Sequence, residues 1–419
     1  MRLVLLACLA FPLLTACGDK DPTDTNPPAD TAPQDSDTGT EPTCTLPTVS
    51  ASYALPWATA TPYGGYAATA TPSYAVIADP VSGAWYAVLW GTSGPIETSA
   101  DLIVSSLPYS ADRAWSDADW IYLADSARTT ADGMVGGGYL IPVADFDRVK
   151  GAIAAEDLSG YSLTGSQDAG YAGILAVYDA DGDGADDLVG ATGPAGDLAE
   201  LAVFSDLSAL PKEIVWGDAA VTVPICPSVD RVIYGPTDAA LFGDGFLAVG
   251  CPGSGYRGGI VQVFPETIGS ATDPLFTAEE VSGWYVAGGQ HAYLDARDKG
   301  LTVATQEGEV FDYAGDDSSW WGASPIVWTV GECSYLAVGE PGALTKSEPT
   351  GAVGIAVLGA DGLPGDFVVL DLPGAPEGYD LRWIGSVLSI SPDGAHLLAA
   401  GWEKGSGTGG GAVTFDLSY

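Results

Sequence analysis

Carboxylates at alternate positions are the arrangement in this sequence whose chemistry is most directly legible. Asp179 to Leu188 reads Asp-Ala-Asp-Gly-Asp-Gly-Ala-Asp-Asp-Leu, set between the apolar segments Gly173 to Val177 and Leu188 to Ala191. Calcium is a hard cation that takes about six to eight oxygen ligands, so a loop of this kind can wrap it. Asp179, Asp181 and Asp183 hold positions 1, 3 and 5, Ala185 offers its carbonyl at position 7, and Asp187 closes the ring at position 9. Gly184 between them permits a turn that a Cβ would resist. An EF-hand is excluded, because it needs a Glu at position 12 and a helix beyond. Gly190 stands there, and Leu188-Val-Gly-Ala reads as a buried strand. The plainer alternative is an acidic turn with no ion. The four carboxylates assigned as ligands, all within nine residues, repel one another without a cation, which favours calcium.

The remaining chemistry is sparse. Gly253-Ser-Gly-Tyr-Arg-Gly and Gly405-Ser-Gly-Thr-Gly-Gly satisfy a dinucleotide fingerprint, but each leads into a strand, whereas phosphate binding needs a helix amino end. No Gly-x-Ser-x-Gly elbow occurs, and His291 and His396 are the only histidines, too few for a His-dependent triad or a zinc centre. Trp320, Trp321 and Trp328 could form a sugar-stacking platform, although strand packing is the commoner use of such residues. No catalytic constellation is evident, so the chain is read as a non-enzyme.

The first 16 residues hold Arg2 and an apolar run from Leu3 to Leu14, shorter than the roughly 20 residues of a membrane-spanning helix. This is the pattern of a signal peptide. Leu14-Thr-Ala-Cys17 resembles the bacterial lipobox, which implies lipidation of Cys17 and export. Gly18 rather than Asp follows the Cys, which in that family leans towards the outer membrane. Residues 17–47 are then a lipidated Cys and a disordered tether, rich in Asp, Thr and Pro and stiffened by Pro22, Pro27, Pro28, Pro33 and Pro42.

The body beyond is strongly acidic, since the chain has 14 Lys and Arg against 55 Asp and Glu, a formal net charge of -41. Nucleic acid is excluded as a partner, because phosphate contacts require clustered Lys and Arg. Four cysteines remain for the mature chain, Cys44, Cys226, Cys251 and Cys333. They allow three pairings, and flanking prolines favour Cys226 with Cys251.

Internal similarity organises the rest. An apolar strand, a Gly or Pro loop and a second apolar strand recur from Tyr74 to Leu89, Ile121 to Ile141, Leu188 to Phe204, Leu247 to Phe264, Leu301 to Tyr313, Leu336 to Leu358 and Leu397 to Phe415. Residues 48–419 allow roughly 50 residues per copy, enough for about four short strands. That is one propeller blade, and radial closure removes the exposed edges of an open sheet. Seven blades are expected, with unequal spacing leaving six or eight open. Thr48 to Trp57 is expected to pair with the last strand, Ala412 to Leu417, and close the ring. Asp145 to Leu158 is the one helical candidate, interrupted by Gly151.

Leu247-Ala-Val-Gly-Cys-Pro followed by Gly258-Gly-Ile-Val-Gln-Val-Phe, together with the aspartate loop running into Val189-Gly-Ala, resembles the FG-GAP repeat of integrin alpha-chain propellers and their bacterial relatives. The similarity covers most of residues 60–419. It implies an all-β, seven-bladed β-propeller with Ca²⁺ bound by Asp179, Asp181, Asp183, Ala185 and Asp187. The turns at Phe242-Gly-Asp-Gly-Phe, Asp295 to Gly300 and Ser391-Pro-Asp-Gly-Ala depart from the pattern and are expected to be plain hairpins. The resulting expectation is an exported, monomeric lipoprotein, held to the membrane by its N-terminal lipid only. Its calcium-stabilised propeller would bind a protein or glycan ligand as an adhesion module. The rivals are a polysaccharide-acting enzyme and a scaffold without a discrete ligand.

Overall fold

Continuous apolar runs such as Tyr74-Ala-Val-Ile-Ala suit strands covered on both faces, and Tyr74–Asp79 is buried at all six positions. A computed structural model describes residues 44–58, 67–105, 113–124, 129–130, 133–134, 136–158, 160–165, 172–192, 199–225, 239–242, 246–251, 259–281, 285–288, 291–296, 300–305, 310–313, 323–340, 344–345, 348–401 and 410–419. All of these fall within one compact unit, Pro42–Tyr419. The expected signal peptide, the lipidation site Cys17 and nearly all of the tether lie outside the described residues.

Each of the seven strand pairs expected from the repeat forms an antiparallel ladder. Tyr74 pairs with Leu89, Ile121 with Ile141, Leu188 with Phe204, Leu247 with Phe264, Leu301 with Tyr313, Leu336 with Ala356, and Leu397 with Phe415. Five sheets have four strands and two have five, with two short two-stranded ribbons besides. The sheets succeed one another along the chain, and their leading strands touch in turn. Ala68–Ala70 meets Arg113–Ser116 of the second sheet, whose Trp120–Ala124 and Gly137–Pro142 meet Ala172–Tyr178 of the third. Contact then runs through Ala239–Phe242, Tyr285–Gly288, Ala323–Val330 and Val387–Ile390, which returns to Ala68–Ala70. The sequence of contacts is closed.

Closure in the chain direction is made by Thr48–Pro56, which lies antiparallel to the final strand Gly411–Ser418 from Thr48↔Ser418 to Pro56↔Gly411, with a bulge between Val49 and Ala51. The expected seam therefore forms. Leu55 of that strand packs with Ala75, Ile77, Val88 and Leu398, so it bonds one sheet to the next as well as completing its own.

Contacts between sheets are tight enough to exclude a methyl group in places. A Cβ on Gly339 would lie 1.8 Å from the carbonyl oxygen of Gly385, whose own φ of +97° suits only glycine. Polar ties reinforce the apolar packing: Trp115 Nε1 donates to the Ile174 carbonyl at 2.9 Å, and the Leu388 amide donates to Ser324 Oγ at 3.0 Å. Tyr419 reaches back to the sixth sheet, accepting from Trp328 Nε1 at 2.6 Å and donating to the Gly394 carbonyl at 2.8 Å. Burial pushes its hydroxyl up to about 12. Trp328 is thereby a packing residue, stacked on Tyr335 with ring centroids 5.5 Å apart. Trp320 and Trp321 lie outside the described residues.

The helical expectation over Asp145 to Leu158 is corrected. One α-helical turn, Val143–Phe146, overlaps its start and a 3₁₀ turn, Ala155–Asp157, its end; Gly151–Ala154 between them is a strand running parallel to Leu102–Ser105 of the preceding sheet. Gly151 has φ +78°, which ends any helix there, and the apparent helical spacing joined residues from two elements. A second parallel edge strand, Glu213–Val215, extends the sheet of Tyr161–Thr164. These two additions make the five-stranded sheets.

Cys44 is bonded to Cys333, 289 residues away, with Cα atoms 5.5 Å apart. This pairing was left open by the sequence; the favoured pairing of Cys226 with Cys251 involves Cys226, which lies outside the described residues. The bond anchors the start of the closing strand to the neighbouring sixth sheet. A closed loop of that length stabilises by about 5 kcal/mol in the chain-entropy model and typically about 2–4 kcal/mol in practice. Cys44→Ser is therefore expected to lower the denaturant-measured stability by about 2–4 kcal/mol, and reduction of the wild type to do the same. An unchanged midpoint in both would remove the bond from the account of stability.

Candidate metal loop and adjoining cleft

The aspartate loop is the turn of a hairpin, as its flanking sequence implied. Ala172–Tyr178 and Asp187–Thr192 pair antiparallel, and Tyr178↔Asp187 is the last rung before the chain turns. Gly182 and Gly184 take φ +82° and +92°. A Cβ on Gly184 would meet nothing within 4 Å, so the backbone conformation and not crowding demands glycine there.

Three of the predicted ligands converge. Asp179, Asp181 and Asp187 each bring a carboxylate oxygen to within 4.8 Å of the other two. Ligand oxygens about 2.3–2.6 Å from a calcium ion lie within roughly 5 Å of one another, so this spacing and this hard donor set fit that ion. Asp183 is exposed and accepts the Ala185 amide at 2.8 Å, outside the convergent group. Ala185 thus contributes its N–H to the turn in this arrangement.

The same carboxylates also shape the loop. Asp179 accepts the amides of Gly182 at 2.8 Å and Gly184 at 2.9 Å, and Asp181 accepts the Asp183 amide and the Ser205 hydroxyl. Asp187 is fully buried and accepts three amides, from Ala180 at 2.9 Å, Asp181 at 3.0 Å and Asp206 at 2.8 Å. Burial raises the Asp187 carboxyl above its ordinary value; the amides and the neighbouring Asp181 charge act in opposite directions on it. Burial likewise raises Tyr178, with Glu266 and Asp187 adding to the shift.

Three hydrogen bonds, one to a side-chain carboxylate and two between backbone groups, fix the loop to its surroundings. Asp187 holds the Asp206 amide, the Leu207 amide donates to the Asp186 carbonyl at 2.7 Å, and the Ile268 amide donates to the Ala180 carbonyl at 2.7 Å. Ile268 follows a strand of the fourth sheet, so the loop joins the third sheet to the fourth.

Beside the loop lies a cleft of about 290 Å³ that the sequence did not signal, lined by Trp120, Tyr161, Ala185, Asp186, Asp206, Leu207 and Ser208. Trp120 and Tyr161 are tilted with ring centroids 5.9 Å apart. Asp206 has φ +57°, in the left-handed region. No local spacing could have revealed this grouping, because it draws on two sheets.

The other loops behave as expected where they are described. At Ser391 to Ala395, Asp393 accepts from Ser391 Oγ at 2.6 Å and from the Ala395 amide at 3.0 Å, an ordinary turn. His396 stacks on Trp90 with centroids 4.8 Å apart, and its Nδ1 lies 2.8 Å from Asp416 Oδ1. It packs at the seam. Gly253 to Gly258 and Gly405 to Gly410 fall mainly outside the described residues, but antiparallel strands flank both, which no dinucleotide-binding turn would show.

Sheets succeeding one another in a closed order, with the first strand completing the last sheet, define a β-propeller. No family model matches the chain, and no curated protein matches it in sequence. Solved structures do resemble it. BamB from Moraxella catarrhalis is 12% identical, over 88% of this chain and 100% of that one, with a TM-score of 0.44. The WD40 β-propeller domain of Doa1 is 10% identical, over 90% and 97%, with a TM-score of 0.46. A streptogramin B lyase is 11% identical, over 88% and 97%, with a TM-score of 0.44. The fold assignment rests on the strand pairing itself. Among the described residues, no helix is long and apolar enough to cross a membrane.

Proposed function

We propose that the chain is an exported, lipid-anchored β-propeller of the FG-GAP type that binds calcium and acts as a binding or adhesion module. The convergence of Asp179, Asp181 and Asp187 carries the calcium reading. Asp183 and the Ala185 carbonyl, which lie outside the convergent group, would be the remaining ligands on this reading. Calcium would supply the positive charge that offsets the crowding of these carboxylates, and would tie the third sheet to the fourth. The seven-bladed reading takes each sheet of four or five strands among the described residues as a blade, and the closed order of contacts between successive sheets supports it.

Export is supported by the Cys44–Cys333 bond, since disulfides persist in oxidising compartments. Anchoring rests on Cys17 and its lipobox-like surroundings. An adhesion or binding role, with a protein or glycan partner, rests on the resemblance to the FG-GAP repeat.

Ligand that binds only the folded state stabilises it by an amount that grows with its concentration over Kd, about 2.7 kcal/mol at a hundredfold excess. About 10 mM calcium is therefore expected to raise the melting temperature by about 3 °C, and EDTA to reverse the rise. A melt indifferent to both would refute the metal reading.

A further inference from the structure

We infer that the cleft beside the aspartate loop is a binding site for an organic ammonium group, such as a lysine side chain or an alkylamine. Its walls combine two aromatic rings, Trp120 and Tyr161, with the carboxylates of Asp186 and Asp206 and the apolar floor of Leu207. No Lys or Arg lines it. An aromatic face attracts a cation through its quadrupole, and carboxylates close by add charge that a neutral sugar would not use. One of these rings already holds a cation from outside the lining: Lys212 places its ammonium 4.0 Å from the centre of the Tyr161 ring.

Asp206 is held in place: its backbone N–H donates to Asp187, and its carboxylate accepts the Ser208 hydroxyl at 2.6 Å, leaving further lone pairs for a ligand. Asp117 and Asp119 stand in the same neighbourhood: Asp117 accepts the amides of Asp119 and Trp120 at 2.8 and 2.7 Å. Four carboxylates, Asp117, Asp119, Asp186 and Asp206, against the one ammonium of Lys212 leave the local charge negative around an apolar, aromatic body. A compact cation with a short alkyl body matches both halves of that surface. A volume of about 290 Å³ admits such a group but not an extended oligosaccharide. The inference goes beyond the calcium reading and does not depend on it.

The test is a titration of the full chain with n-butylammonium chloride, followed by calorimetry and saturation-transfer NMR, with n-pentanol as the neutral isostere and sodium chloride as the salt control. Saturable, roughly millimolar binding of the ammonium and none of the alcohol is expected. Asp186→Asn, a change at an exposed position, should weaken it about fivefold to tenfold; Trp120→Ala should weaken it by a similar factor but also lower the melt, since Trp120 packs on the core, so Asp186→Asn is the deciding variant. Equal binding of pentanol, an absence of saturation, or full affinity in Asp186→Asn would each overturn the inference. Repeating the titration in EDTA and in calcium separates the two sites. Ammonium binding in EDTA without any calcium effect on the melt would sink the metal reading alone. Calcium competing directly with the ammonium would make the cleft a divalent site and sink this one.

Discussion

Removing Thr48–Pro56 is expected to abolish cooperative folding of the monomer or to lower its melting temperature by about 10 °C or more. The strand supplies eight rungs to Gly411–Ser418, and its loss turns a paired strand into an open edge. Buried Ala54 and Leu55 go with it, and Leu55 bonds the seventh sheet to the first. Loss of a buried Leu alone costs about 2–5 kcal/mol. Ladder hydrogen bonds contribute about 1 kcal/mol each. Together these approach the whole net stability of a typical protein, about 5–15 kcal/mol. A synthetic peptide spanning Thr48 to Trp57 should rescue the truncated protein, since an exposed edge accepts a strand in trans. Thermal melts by circular dichroism, with and without peptide, provide the readout. An undiminished transition in the truncated chain would show that the seam contributes nothing.

Asp187→Ala is the second large effect expected, a loss of about 3–5 kcal/mol, because it strands the amides of Ala180, Asp181 and Asp206 around a buried position. Asp183→Ala, which releases a single amide at an exposed site, should cost roughly 0.5 kcal/mol and serves as the comparison. The two variants separate structural work from metal work, as both are predicted ligands but only one is an anchor. Acidity adds a signature. The raised folded-state value of Asp187 means that the native loop holds a proton more firmly than the unfolded chain does. This contribution therefore favours folding at low pH and is lost as pH rises from the ordinary aspartate range through the raised value. In calcium-free buffer Asp187→Asn should flatten that part of the stability profile. Persistence of the same slope in the variant would assign it to another group.

Much of this architecture was legible because propeller strands are buried on both faces. Tyr74-Ala-Val-Ile-Ala and Leu336-Ala-Val-Gly are apolar without alternation, and their partners follow at short range, so local pattern and pairing coincide. Thr48 to Trp57 could be assigned to the last strand because a ring needs a seam. The hairpin at the aspartate loop was legible for a similar reason, its turn and both strands being local in sequence.

What escaped the sequence depends on distance or on the backbone. Cys44 and Cys333 meet only because the closing strand begins beside the sixth sheet. Gly151–Ala154 pairs with an earlier sheet in a parallel sense, and nothing within Gly-Ala-Ile-Ala announces a partner nearly 50 residues upstream. Asp187 also carries a role that ligand spacing concealed, since position 9 of a metal loop and a buried anchor for three amides look identical as a letter. The Trp120 and Tyr161 cleft likewise needs the second and third sheets to be adjacent before its residues form a group.

Calorimetric titration of calcium into the metal-stripped protein, beside the Asp179→Asn/Asp181→Asn double variant, tests the metal loop most directly. A calcium site built on these carboxylates predicts one saturable event with Kd about 10⁻⁴ to 10⁻³ M in the wild type, and none in the variant. Heat that is absent from both, or equal in both, would contradict it.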